Sequence, residues 1–488
     1  MPITGIRLQQ FKCFEDSGNI PLAPLTVIFG RNNSGKSTIL QSLLLLRQTL
    51  DSPEYGPRLD LRGPLYAGGS YADIVHQHRS KHKVVMTFDV DHAGAELPAR
   101  VEMEFASDEP QPPRLVRLRI ANQLSEPVEI RRSPGRGGPY ELCIGGESQG
   151  TEEDAVFRFP ESGFFPLIGR EPLRVGRPSA KREEARKCAR LVLESFESDL
   201  RAMRAVGAFR QQPLRRYEYM GRASPAVDAT GRAVVDALIE DFMRRGPRRG
   251  ELVQSVNRWL KAVGRVRISR LKGISKTARI YEVRVRDADS KRWANFADVG
   301  SGIGQALPVI VEGLRAPPNA LFLVQEPEIH LHPDAQLRMA DFLVALARTG
   351  RRVIAETHSE NLLLRIRRRV FAKSNSSLRL RPDDVSILHV AKSEDGAGCP
   401  YRRGIGWSYG HIEEATHQAP SKVNQEKSPL PNQPNRVAAE EEQRDHVHQD
   451  VAEIGVYEDA CDYRPGSLAD AGGLQAQRMD QTGIGNGE

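Results

Sequence analysis

The sequence is short of the residues that staple small secreted folds. Its five cysteines, Cys13, Cys143, Cys188, Cys399 and Cys461, are scattered over 488 residues and never form a C-x-x-C pair. No disulfide framework or zinc knuckle follows from that pattern, and a reducing, cytoplasmic setting is expected. Long apolar runs are missing as well. No stretch approaches the roughly 18 residues needed to span a bilayer, and Met1 to Arg7 lacks the basic-then-apolar plan of a signal peptide, so no membrane association is expected. No sustained heptad joins the helical segments, which excludes a long coiled-coil arm. Acid is scarce only in the body of the chain: residues 1–410 hold 64 Lys/Arg against 48 Asp/Glu, whereas residues 411–488 hold 6 against 15. A basic body can attract polyanions such as nucleic acid, the alternative being ordinary solvated arginines. The length implies two or three folding units.

What is present begins with Gly30-Arg31-Asn32-Asn33-Ser34-Gly35-Lys36-Ser37. This stretch follows the apolar run Leu25 to Phe29 and precedes Thr38-Ile39-Leu40, so strand, glycine-bounded loop and helix succeed one another. That order is the context that makes G-x-x-x-x-G-K-[ST] a phosphate-binding loop. The glycines let successive N–H groups turn inward at phosphate oxygens, and the helix adds its positive N-terminal end. Lys36 is placed to reach the β- and γ-phosphates of a nucleotide, and Ser37 to offer its hydroxyl to Mg²⁺.

Further along, Val84–Val90, Ala99–Phe105 and Leu115–Ile120 alternate with period two, which predicts antiparallel strands with one wet face. Residues 131–180 read as irregular. Helical periodicity returns between Ser179 and Leu200, over Val234–Met243 and over Leu252–Val263. Around these helices crowd Arg204, Arg210, Arg215, Arg216, Arg222, Arg232, Arg244, Arg245, Arg248 and Arg249, the best candidate for a polyanion-facing surface, with a solvated helical face as the alternative. A second glycine loop, Gly300 to Gln305, opens a helix. The apolar run Leu321 to Val324 then ends in Gln325-Glu326-Pro327-Glu328-Ile329-His330-Leu331-His332-Pro333, and the run Arg352 to Ala355 ends in Glu356-Thr357-His358-Ser359. Both place polar groups at the carboxyl ends of strands, the edge of an open α/β sheet where ligands bind. One nucleotide does not need two anion-binding loops from one subunit, so the second is expected to serve a nucleotide held by a partner copy.

These motifs resemble the ATPase heads of the ABC superfamily, in particular the RecF- and SMC-like branch and its relatives among OLD-like AAA ATPases. The resemblance covers about residues 3–50 and 290–390. It implies ATP and Mg²⁺ as cofactors, with Gly30, Asn32, Asn33, Ser34, Gly35, Lys36, Ser37 and Thr38 at the nucleotide. Gly300, Ser301, Gly302 and Gln305 match the signature loop, whose serine position is held by Ser301, Gly300 or Gly304. Glu326 matches the residue that polarises the attacking water, and His358 the switch histidine. Gln325 stands where the family has a metal-ordering Asp, so Ser37 and Gln325 are the expected metal contacts and hydrolysis is expected to be slow. The alternative is that Glu326 holds the metal and Glu328 is the base. His330 and His332 lack the helical spacing of a zinc pair. Val311-Glu312-Gly313 is similar to the first motif of a TOPRIM nuclease, yet no coherent TOPRIM domain follows His358.

The resemblance implies an α/β fold, a P-loop NTPase of ABC-ATPase type with an antiparallel β subdomain and a helical insertion. The expected units are an N-terminal ATPase lobe over 1–178, a helical insertion over 179–263, a C-terminal lobe over 264–406 and a polar, acidic, disordered tail over 407–488. The expected function is ATP binding and hydrolysis coupled to homodimerisation, on or near DNA in repair or phage defence. A nucleotide-gated scaffold for an effector protein and a transporter ATPase subunit are the alternatives.

Overall fold

The computed structural model describes residues 3–407 except 53–55, 92–97, 124, 134–137, 153, 155, 161–162, 170–178, 220, 222–228, 276–278, 288–291, 373–377 and 391–402. The acidic tail, apart from its first residue, Trp407, lies outside the described residues.

At the centre is a six-stranded sheet in the order Arg204–Val206, Leu321–Gln325, Arg352–Thr357, Leu25–Phe29, Val385–Val390 and Arg403–Trp407. The first five run parallel and the last is antiparallel to its neighbour. The central strands are apolar almost throughout because both faces of a parallel sheet are covered. Ile28, Leu321, Leu323, Ile354 and Leu388 point into one core; Leu25, Val27, Phe322, Val324, Val353 and Ala355 point into the other.

The first core lies between this sheet and a nine-stranded, largely antiparallel one. It also takes in the helices Lys36–Asp51 and Ala180–Ala202. The period-two pattern is realised in Ala99–Asp108, where Val101, Met103 and Phe105 are fully buried. On the opposite face the charged residues pair across strands: Arg117 reaches Glu104 and Glu129, each at 2.9 Å, and Arg100 reaches Asp89 at 2.9 Å. These arginines are thus paired within the sheet and leave the chain's basic surplus to others.

The stretch read as irregular contains the hairpin Tyr140–Ile144 and Glu147–Thr151 and the short pair Phe157–Arg158 and Leu167–Ile168. Gly145 and Gly146, both at positive φ, make the two-residue turn of the hairpin. The glycines that give this stretch its irregular look are the turn between two strands.

The second core holds the helices Val234–Met243, Glu251–Gly264, Ser301–Arg315, Pro333–Arg348 and Glu360–Val370 on the other face of the parallel sheet. Residues 179–263 contribute helices to both cores, and between them the strand Arg204–Val206 adds an edge to the central sheet. Two buried arginines fasten neighbouring parts. Arg352 donates to the carbonyls of Ile3 (2.8 Å) and Leu22 (2.9 Å), and Arg351 satisfies the terminal carbonyls of Ser301–Arg315 through Ala316 (2.6 Å) and Leu314 (3.2 Å). No helix among the described residues is long and apolar enough to cross a membrane.

Candidate nucleotide site

Three adjacent parallel strands deliver the motifs to one edge. Leu25–Phe29 opens into the phosphate loop and Lys36–Asp51 leaves it, with Gly35 at the helix N-cap in a left-handed conformation, φ 97°. A side chain at Gly30, φ 151°, would sit 2.2 Å from the carbonyl of Val390, and one at Gly35 would sit 2.4 Å from the sulfur of Cys13. Both positions therefore require glycine. Arg31, Asn32 and Asn33 form the exposed crown of the loop, while Ser34, Lys36 and Thr38 are buried. The Ser34 hydroxyl, 1% exposed, has no hydrogen-bond partner among the described residues. A buried hydroxyl without a partner, in a glycine-bounded loop at a helix N-terminus, fits a phosphate.

Lys36 is 3% exposed, and its ammonium donates to the carbonyl of Arg31 at 2.8 Å. Burial lowers its pKa, while the charges of Glu356 and, more weakly, Glu326 oppose that shift. The lysine thus already feels the carboxylates on the two strands beyond it. Ser37 donates to Oε1 of Glu356 at 2.6 Å, and Gln325 donates its amide to Oε2 of the same carboxylate at 2.8 Å. The strand register sets this up, since Gln325 is paired with Glu356 and Glu356 with Ile28. The expected contact at Gln325 is therefore changed in kind, because the amide serves the carboxylate of the neighbouring strand. Ser37 and Glu356 together offer hard oxygen donors beside the phosphate loop, the donor chemistry that suits Mg²⁺.

Glu326 lies just beyond the Leu321–Gln325 strand with φ 46°, an uncommon region for a residue with a side chain. Its N–H donates to the carbonyl of Glu356 at 2.7 Å, and its carboxylate stands 3.9 Å from Nε2 of His358, with both side chains about one-third exposed. These two groups face each other with access to water. Glu328 is different. It is buried, and its Oε1 accepts from Thr357 Oγ1 (2.5 Å), His358 N (2.9 Å) and Ser359 N (3.2 Å). A carboxylate oxygen so committed is a clasp for the switch turn, while its Oε2 is buried without a hydrogen-bond partner among the described residues. Ser359 then caps the next helix by accepting from Leu362 N at 3.1 Å, which explains the order Thr-His-Ser.

Gly300 caps the helix Ser301–Arg315, Ser301 is exposed and Gln305 half-buried. A side chain at Gly302 would come within 2.6 Å of the His330 carbonyl, so the signature loop lies directly on the turn after Glu328. His330 is exposed with φ 60°, while His332 caps the helix Pro333–Arg348. Glu312 is held by Arg315 at 2.6 Å and Arg204 at 3.7 Å, inside its helix rather than at a nuclease centre.

Sequence reasoning misplaced Arg210. It is 7% exposed and donates to the carbonyls of Gly207 (2.9 Å), Gln305 (3.1 Å), Glu326 (2.9 Å) and Gln325. Burial pushes its pKa down to about 10 against the opposing charges of Glu328 and Glu326. It therefore cannot belong to a polyanion-facing surface; it ties the signature helix to the end of the Leu321–Gln325 strand. Arg204 is likewise paired inside, Arg215 binds Asp298 at 2.6 Å, and Arg222 lies outside the described residues. Of that group Arg215, Arg216, Arg232, Arg245, Arg248 and Arg249 are exposed. The signal for Arg210 was its place three residues after Gly207, the glycine that follows the short strand Arg204–Val206.

Residues 1–119 match the family model described as "AAA ATPase domain", and residues 190–365 the one described as "AAA domain, putative AbiEii toxin, Type IV TA system". The chain carries an AAA-type ATPase domain. The two matches take in the phosphate loop on one side and the Glu326 and His358 turns on the other, so one domain is built from both ends of the described chain. Among solved structures, the domain is similar to an SMC head bound to the C-winged helix domain of ScpA, at 14% identity over 85% of this chain and 99% of that one, with a TM-score of 0.41. It is also similar to the SMC head domain from Thermotoga maritima, at 11% identity over 80% and 96%, with a TM-score of 0.36. A search of curated proteins gives no match.

Proposed function

We propose that this AAA-type domain binds ATP with Mg²⁺ in the loop Gly30–Ser37 and hydrolyses it slowly, and that a second copy closes over the nucleotide with its Gly300–Gln305 loop. The observation that supports this best is the convergence of Lys36 and Ser37 with Glu326 and His358 at the ends of three adjacent parallel strands. Lys36 neutralises the β- and γ-phosphates, and the loop N–H groups hold their oxygens. Glu326 accepts a hydrogen bond from the attacking water and aligns it, with His358 fixing the carboxylate and contacting the γ-phosphate. Ser37 with the Glu356–Gln325 pair would hold Mg²⁺, which would supply neutralising charge to the phosphates when bound. The exposed Arg216, Arg232, Arg245, Arg248 and Arg249 support weak, salt-sensitive contact with nucleic acid, and through it a role in repair or phage defence.

A second reading, a nucleotide-gated scaffold for a partner effector with little turnover, is supported by Gln325, which puts an amide where a carboxylate would speed the reaction. Phosphate release by the wild type and Lys36→Ala, with and without duplex DNA, tests both. The expected outcome is slow release by the wild type and loss of about tenfold or more in ATP affinity in the variant, since a charge-assisted bond to phosphate is worth roughly 2 kcal/mol. Tight, Lys36-dependent binding without release would favour the scaffold; unchanged affinity would defeat both.

A further inference from the structure

We propose that Glu356, on the strand Arg352–Thr357, is the carboxylate that positions Mg²⁺ at the nucleotide, with Gln325 as the residue that orients it. The proposal rests on the nucleotide reading above and assigns a role to a residue that no motif marks. Mg²⁺ keeps several waters and takes one or two carboxylates together with phosphate oxygens, and in phosphate-loop proteins the loop Ser is its other protein contact. Among the described residues, Glu356 is the carboxylate bonded to that hydroxyl, at 2.6 Å from Ser37 Oγ. Its second oxygen is occupied by Gln325 Nε2 at 2.8 Å, so both oxygens are held by side chains of the site itself.

The other carboxylates at this edge have different surroundings. Glu328 spends one oxygen on three donors of the switch turn and is buried under it. Glu326 faces His358 at 3.9 Å and is about one-third exposed. Glu356 is 4% exposed and lies between the strand that leads to Glu326 and the strand that opens into the phosphate loop. It is also the carboxylate whose charge acts most on Lys36. A carboxylate this deeply buried, with no cationic hydrogen-bond partner among the described residues, gains from a divalent cation beside it. The metal-ordering charge is thus moved one strand sideways, and the amide at Gln325 turns from a poor ligand into a donor that fixes Oε2.

The test uses Mn²⁺ as the probe, titrated into full-length protein saturated with a non-hydrolysable ATP analogue and followed by the spin-resonance signal of free Mn²⁺. Glu356→Gln keeps the shape and removes the charge. Mn²⁺ affinity should fall by about tenfold or more while analogue affinity in EDTA does not fall, since an anion beside the phosphates has been removed. Gln325→Asp added to Glu356→Gln should recover most of the loss by restoring a carboxylate on the adjacent strand. Unchanged Mn²⁺ affinity in folded Glu356→Gln overturns the proposal. If that variant does not fold, Glu356→Asp is read instead: its charge is withdrawn by one methylene, and unchanged affinity there is equally fatal. A wild type that takes up no analogue either in EDTA or with saturating Mn²⁺ would instead overturn the nucleotide reading, and the metal assignment with it.

Discussion

At the scale of the residue, three glutamates within one strand edge have been given three tasks by their hydrogen bonds. Glu326→Gln should nearly abolish turnover while leaving ATP binding intact, because it removes the acceptor for the water and keeps the shape. Glu328→Gln should instead loosen the turn at Thr357, His358 and Ser359, lowering the melting temperature and reducing turnover only partly. Single-turnover hydrolysis and thermal melts of both variants separate these outcomes, and wild-type rates in Glu326→Gln would remove the assigned base. The site was half legible in the sequence. Lys36, Ser37, Glu326 and His358 stood out because each belongs to a motif with fixed spacing. Glu356 did not, because its partners Ser37 and Gln325 are brought to it only by sheet register. Arg210 was hidden for the opposite reason: it looked like one cation in a crowd, and only burial among carbonyls distinguishes it.

At the scale of the element, periodicity found the long helices and the central strands, since a face buried at every third or fourth position, or a fully apolar run, is visible without neighbours. It missed short strands such as Arg204–Val206, whose identity comes from the neighbouring strand Leu321–Gln325 rather than from its own three residues. It also could not see what joins the helices Pro333–Arg348 and Glu360–Val370. Buried Asp341 accepts from Arg365 at 2.9 and 2.8 Å and from Arg369 at 2.7 Å. Burial works to raise the pKa of Asp341, and the two guanidiniums outweigh it, so the carboxyl is held below its ordinary value. Asp341→Asn leaves two guanidiniums without their shared counter-charge and should cost about 3–5 kcal/mol at neutral pH. Because the folded-state pKa is depressed, this contribution is whole above the unfolded value of about 3.9 and is lost as pH falls through the lower folded one. Chemical denaturation of wild type and variant at pH 7 and pH 3 should therefore show a gap that narrows in acid.

At the scale of the whole molecule, the signature loop and the strand end at Glu326 share Arg210, and the loop lies outside the monomer's own phosphate loop. A non-hydrolysable ATP analogue should raise the mass seen by light scattering to that of a dimer. Gly302→Ala, which would crowd the His330 carbonyl at 2.6 Å, should weaken that response while leaving the monomer's nucleotide affinity unchanged. Equal response in wild type and variant would remove the loop from the interface. The sheet order has a further consequence, for the time at which the protein becomes competent during its own synthesis. Leu25–Phe29 is flanked by Arg352–Thr357 and Val385–Val390, and Val390 also walls the phosphate loop at Gly30. The antiparallel sheet and its helices can assemble early on the ribosome, but the loop made among the first forty residues waits for the last strands to emerge. At about 5–20 residues per second that is a delay of roughly 20–70 seconds. A chain released after Asp384 should contain every nucleotide motif and retain none of the affinity, whereas one released after Trp407 should bind ATP as the full chain does.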